Sequence, residues 1–297
     1  MSRHFVANYH QNFFFPWVER GRVHPMYTYV KRSLPHRVIR RLMGKREFNY
    51  DFAPWYEALE RGEMVVIQDR AIKNDQSLHR LYKYRDQIRI FTWDTLESAQ
   101  DLAVRFKDRF EVYTHDRSDH RRYGLAFQTT FFQPAPNLTP HPQRYDLVFL
   151  GATKNRLPLI EQCYLNLKDQ INAMFYVRAP QSLSQDATPV PLQRDLLDYG
   201  PYLQYVMSSR GILEILQPGQ DSLTLRVMES LFYQKKLITT YQNIVHEDFY
   251  NPQNIMVIQG PDDLKSSKVR DFLYSDYVPV DPQLVDRYRF DQWIKRF

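Results

Sequence analysis

The apolar residues of this chain fall into short unbroken runs. Between them lie longer stretches in which apolar positions recur every three or four residues. MVVIQD (64–69), IRIFTWD (88–94), EVYTHD (111–116), YDLVFLG (145–151), INAMFYVRA (171–179), GILEIL (211–216), KKLITT (235–240) and IMVIQ (255–259) have the length and composition of buried strands. FVANY (5–9), MYTYVKR (26–32) and AFQTTFF (126–132) are further strand candidates. Segments 34–45, 53–61, 77–86, 98–110, 157–170 and 195–210 read as helices, the last with a possible break at Gly200–Pro201. Strand–helix alternation predicts an α/β protein with parallel sheets covered by helices on both faces.

QPAPNLTPHPQ (133–143) has four prolines in eleven residues and reads as a linker. The expected division is therefore an α/β domain over 1–137, a second over 138–285, and a closing helix over 286–297.

The stretch 208–240, SSRGILEILQPGQDSLTLRVMESLFYQKKLITT, organises the second half as strand, Gly-containing turn, helix and strand. Asp221 or Ser222 is placed to cap the helix, and Leu223, Val227, Met228, Leu231 and Phe232 share its apolar face. Arg226 and Glu229, three apart, are neighbours away from that face. As a plain reading they are a solvated surface pair. As a functional one they hold a ligand at a helix N-terminus, where backbone N–H groups favour anions. Lys154 and Arg156 lie at another predicted helix N-terminus, after YDLVFLG.

Charge refines the picture. The net charge is +6, but residues 1–142 hold 23 Lys/Arg against 16 Asp/Glu, and residues 143–297 hold 17 against 18. Residues 20–46 carry nine basic residues and no acidic one. Within them LPHRVIRRLMGKR forms an amphipathic helix pattern, Leu34, Val38 and Leu42 on one side and Arg37, Arg40 and Arg41 elsewhere. Such helices favour anionic membrane surfaces, an ordinary solvated helix being the other reading. The basic excess is local and no nucleic-acid motif accompanies it, so nucleic acid is not an expected partner. A single cysteine, Cys163, excludes an internal disulfide and reads as a packed helix residue. With no signal peptide and no apolar span of membrane length, a cytoplasmic protein is expected, peripheral on the inner face of the membrane if the basic segment binds lipid.

YDLVFLGATKNRL, the stretch 208–240 and its continuation YQNIVHEDFYNPQNIMVI resemble the C-terminal domain of small bacterial glycosyltransferases of the GT-B fold. Those enzymes serve capsule, O-antigen and lipopolysaccharide biosynthesis. IRIFTWD, VYTHDRSDHRRYGL and the closing RYRFDQWIKRF also fit the resemblance, whereas the first strand and residues 10–50 match poorly. The resemblance implies two Rossmann-like domains facing across a cleft, with the C-terminal helix packing back on the N-terminal, acceptor-side domain. It implies a nucleotide-sugar donor on the second domain and a glycan or lipid-linked acceptor. Glu229 would bond the donor ribose. Lys154, Arg156 and Arg226 would face the diphosphate, and Gln220 and Thr224 would line the sugar or phosphate pocket. Many related folds carry a glutamate in the Gly-rich turn, where this chain has Gln217 and Gln220. An inverting enzyme needs a base from the first domain, with Asp94 the first candidate and His10 and His115 next. No cofactor is implied. Asp69, Asp94 and Asp116 do not make an Asp-x-Asp, and no metal is expected. A non-catalytic, nucleotide-binding scaffold of the same fold is the alternative.

Overall fold

A computed structural model of the chain describes residues 2–7, 22–29, 31, 33–42, 50–72, 75–98, 100–136, 141–265 and 267–297. It is α/β and divides into two compact units. Unit 1 comprises Met1–His115, Asp119–Gln128 and Ile294–Phe297; unit 2 comprises Asp116–Ser118 and Thr129–Trp293. The change of unit between Gln128 and Thr129 lies ahead of the Pro-rich stretch.

In unit 1 the strands β1 (Arg3–Ala7), β2 (Val23–Pro25), β5 (Met64–Gln68), β6 (Ile88–Thr92), β7 (Glu111–Thr114) and β8 (Ala126–Phe127) form one parallel sheet. Their order is β2-β1-β5-β6-β7-β8. The central strands are buried on both faces, which is why their sequences are unbroken apolar runs rather than alternating ones. β3 (Tyr27–Tyr29) pairs antiparallel with β4 (Tyr50–Phe52), so MYTYVKR contributes a separate two-stranded ribbon and not a strand of the main sheet. The chain end returns to unit 1, and the Phe297 ring lies 4.8 Å from Tyr113 and 6.2 Å from Phe91.

Unit 2 repeats the plan. β9 (Tyr145–Ala152), β10 (Ala173–Arg178), β11 (Leu192–Gln193), β12 (Ser209–Glu214), β13 (Lys236–Thr239) and β14 (Ile255–Val257) form a parallel sheet ordered β11-β10-β9-β12-β13-β14. Strands are added to one side from β9 to β11 and to the other from β12 to β14. The reversal between β9 and β12 leaves their carboxyl ends diverging, the place where such sheets bind ligands. Helices Leu157–Leu167 and Lys268–Tyr274 share one buried cluster with the strands; Ile160, Cys163, Leu167 and Leu273 are among its helical members. Gly211 permits close packing there, since a Cβ on it would stand 2.7 Å from Leu273 Cδ2.

Several predicted boundaries move. The helix expected over 195–210 is Tyr199–Met207, with Gly200 and Pro201 in its first turn, where a missing N–H costs nothing. Segment 98–110 keeps only one turn, Leu102–Arg105, and the closing helix expected over 286–297 is reduced to Phe290–Trp293 and a final short turn, after a separate helix Pro282–Asp286.

Candidate functional site

At the β9/β12 divergence unit 2 holds a cavity of about 410 Å³. Asn155 and Arg156 after β9, Leu216, Gln217 and Gln220 after β12, and Thr240 after β13 line it. The turn after β12 is set by its sequence. The Gln220 N–H donates to the Gln217 carbonyl at 3.1 Å, with Pro218 second and Gly219 third at φ +79°, a type II turn that needs glycine there. Thr240 Oγ accepts the Leu216 N–H at 2.9 Å, tying that turn to β13. Pro158 and Leu159, in the first turn of helix Leu157–Leu167, also face the cavity, and that turn has no acidic residue. The positive end of a helix therefore borders it.

Two arginines stand at this edge. Arg156 donates to the Ile215 carbonyl and, at 3.3 Å, to Ala152, so it spans the gap between the two strands. Its guanidinium lies 5.6 Å from the Phe149 ring centre. A Cβ on Gly151 would stand 3.0 Å from Arg156 Nη2, so glycine leaves the guanidinium its room. Arg226, in the first turn of helix Leu225–Tyr233, donates to the Leu150 carbonyl at 2.7 Å and lies 5.5 Å from the Tyr202 ring centre. Burial, and then the neighbouring charge of Arg226, bring Arg156 down to about 10.

Behind the arginines lie two carboxyls. Glu214, the last residue of β12, accepts from the Thr224 hydroxyl and from Thr239 at 2.5 Å. Burial raises its pKa against these bonds and the attraction of Arg226 and Arg156. Glu229 is 1% exposed and accepts from Tyr199 at 2.9 Å and Tyr202 at 2.5 Å. Burial pushes it up to about 7 in spite of Arg226 and the two hydroxyls. Burial, above all, holds both tyrosines well above their ordinary value, so they remain donors.

The placement of the predicted residues follows. Arg156 and Gln220 border the cavity. Lys154 is exposed on the preceding turn, at the left-handed φ of +42°. Gln220 donates to Ser222 Oγ at 3.1 Å. Thr224, rather than Asp221 or Ser222, caps the helix, its hydroxyl accepting from the Arg226 N–H at 3.1 Å. The plain reading of Arg226 and Glu229 as a solvated surface pair is corrected for Glu229, which Tyr199 and Tyr202 of helix Tyr199–Met207 cover. A ribose contact does not fit a carboxylate so buried with both oxygens engaged. Glu214, Tyr199 and Tyr202 were not among the predicted residues. A charged residue inside the run GILEIL and two tyrosines three apart were the available signals.

In unit 1, Asp94 follows β6 and accepts from Arg70 Nε at 3.1 Å. Asp69, immediately after β5, accepts the Trp93 N–H at 3.1 Å. Burial, opposed by that bond and Arg70, raises Asp69 to about 6, with a further upward contribution from Asp94. Asp69 was considered only for metal binding in the sequence; its raised proton affinity is of the kind a general base uses near neutrality. His115 is buried with Nδ1 3.1 Å from the Thr92 carbonyl, an acceptor, so that nitrogen carries the proton. This is the geometry of a packed histidine. His10 lies outside the described residues. Among the described residues, no three His, Cys, Asp or Glu are grouped to hold a metal ion.

No family model matches the chain, and no curated protein matches it in sequence. Solved structures do. AviGT4, a glycosyltransferase involved in avilamycin A biosynthesis, superposes with a TM-score of 0.52 at 12% identity, covering 82% of this chain and 84% of its own. A DNA-modifying β-glucosyltransferase, solved in the presence and absence of uridine diphosphoglucose, superposes with a TM-score of 0.50 at 11% identity, covering 100% of this chain and 98% of its own. A mutant of the T4 phage enzyme BGT, in complex with UDP-glucose, gives 0.50 at 12% identity with the same coverage. At such identities the likeness is one of fold, and this chain shares the fold of solved glycosyltransferases.

Proposed function

We propose that this protein transfers a sugar from a nucleotide-sugar donor to a glycan or lipid-linked acceptor of a bacterial surface polysaccharide. One observation carries the reading: a cavity at the strand-order reversal of unit 2, bordered by a helix N-terminus and Arg156, with Arg226 beside that arginine. In this reading Arg156, Arg226 and Lys154 attract the donor diphosphate. Gln220 contacts the phosphate or sugar. Glu229 positions Arg226 and does not touch the ribose. Thr224 holds the helix start.

Transfer forms a bond between an acceptor hydroxyl oxygen and the anomeric carbon, and breaks the bond from that carbon to the diphosphate. The leaving diphosphate gains negative charge, which the arginines and helix dipole stabilise. For inversion, the hydroxyl proton goes to a carboxylate base; Asp94, the first candidate from the sequence, and its neighbour Asp69 are the carboxyls proposed for that role.

The test is a thermal-shift screen of the full chain against UDP, GDP, CMP and their sugars, repeated with Arg226→Ala. A nucleotide at a hundred times its Kd stabilises by roughly 2.7 kcal/mol. Losing a charge-assisted bond weakens its affinity about 10- to 100-fold. A selective shift that persists unchanged in Arg226→Ala sinks the site assignment. A shift without sugar transfer to any acceptor points to the scaffold reading.

A further inference from the structure

The helix Leu34–Leu42 in unit 1 presents Leu34, Val38, Ile39 and Leu42 to solvent, at 66%, 51%, 53% and 83% exposure. The other exposed large apolar side chains among the described residues, such as Leu165 and Val245, are scattered, no two in one element. Single exposed apolar residues are ordinary, whereas four on one short helix form a patch that marks a contact surface.

Helix geometry puts these four positions on an arc of about 140° at 100° per residue, with Arg37, Arg40 and Arg41 on the rest of the circle. The flanking sequence extends the same charge, since nothing acidic occurs between residues 20 and 46. Among the described residues no helix is long and apolar enough to cross a membrane.

We infer that this helix is a docking surface for an anionic phospholipid bilayer. It lies along the interface, its apolar arc among the upper acyl chains and its basic positions at the headgroups. Charge complementarity and the exposed apolar arc together select this occupant. Nucleic acid would engage the arginines and leave four apolar side chains in water. A second copy of the chain would bring nine more basic residues against the first nine. Each basic residue close to an anionic surface raises partitioning about fivefold, and immersion of the leucines adds a contribution that salt does not screen. The inference does not depend on sugar transfer: a scaffold would dock as well.

The experiment is co-sedimentation of the full chain with sucrose-loaded vesicles. One set is phosphatidylcholine with a third phosphatidylglycerol, the other phosphatidylcholine alone, each at low and high salt. Binding to the anionic vesicles is expected, with at least tenfold weaker binding to neutral ones. Leu34→Ser with Leu42→Ser, and separately Arg41→Glu, weaken anionic binding tenfold or more, with unfolding temperature and nucleotide-induced shift unchanged. These residues are exposed, so the variants fold. Equal sedimentation with both vesicle sets, or full binding by the double serine variant, overturns the inference. So does salt-sensitive duplex DNA binding without vesicle binding, or a dimer in solution that Leu42→Ser dissolves.

Discussion

The two units lay down nearly the same sheet and do different things at its carboxyl edge. In unit 2, Arg156, Arg226, Glu214, Glu229 and two tyrosines make a mostly buried network in which both carboxyls accept two hydroxyls each. In unit 1 the comparable edge carries the neighbouring carboxyls Asp69 and Asp94, with Arg70 bonded to both, through its side chain to Asp94 and its backbone N–H to Asp69. The sheet supplies a platform in both cases, and the residues just past the strand ends decide the chemistry. The buried unit 2 network holds its arginines in place through satisfied hydrogen bonds. Asp69, whose partners are backbone N–H groups, carries a raised proton affinity just past a strand end, of the kind that suits moving a proton.

The sharpest way to break this comparison is Asp69→Asn. If unit 1 supplies the base, transfer slows about 10²- to 10⁴-fold while donor affinity holds. On that assignment kcat of the parent protein should rise with pH through about 6, because the base must be deprotonated. The variant loses that limb. A variant that retains the limb removes Asp69 from the mechanism and shifts attention to Asp94.

The second test asks whether the unit 2 network titrates. Glu229 sits at about 7 in the folded protein against an ordinary value of 4.5. Between these values the folded state binds more protons than the unfolded one. Its stabilising contribution is therefore complete below pH 4.5 and declines as pH rises to 7, by roughly 3 kcal/mol at most. Denaturant unfolding from pH 4 to 8 should show this decline, and Glu229→Gln should flatten it. Asp69 acts in the same direction at lower pH, so the difference between parent and variant isolates Glu229. Parallel curves for the two proteins would mean that Glu229 stays charged beside Arg226.

What was legible in the sequence follows from the same contrast. Strands buried on both faces announce themselves as apolar runs, so β5, β6, β9, β10, β12 and β13 were all visible. β2 and β11, three and two residues long, carry too little pattern to see. Arg156 and Gln220 were legible because the loops after β9 and β12 follow from strand order alone. The burial of Glu229 was not. Periodicity finds the side of helix Leu225–Tyr233 that meets the sheet, but not that a second helix brings Tyr199 and Tyr202 over its other side. The raised proton affinity of Asp69 was illegible because it arises from burial and from Asp94, 25 residues away in sequence.

The smallest expected effect concerns how the unit 2 network is held. The Thr224 hydroxyl accepts from the Arg226 N–H and donates to Glu214, so one group caps the helix and satisfies a buried carboxyl. Thr224→Ala removes both bonds. Losing the cap alone costs about 1 kcal/mol, and the unmatched Glu214 oxygen adds to this. Thr224→Ser keeps the hydroxyl and should recover most of the loss in denaturant unfolding. The donor site should feel the change in one direction: a frayed first turn loosens Arg226, weakening nucleotide affinity severalfold, by less than Arg226→Ala does. If Thr224→Ala destabilises the protein but leaves nucleotide affinity intact, Arg226 is held by Leu150 and Tyr202 without help from the cap. The unit 2 network would then divide into a scaffold around Glu214 and a separate anion site around the arginines.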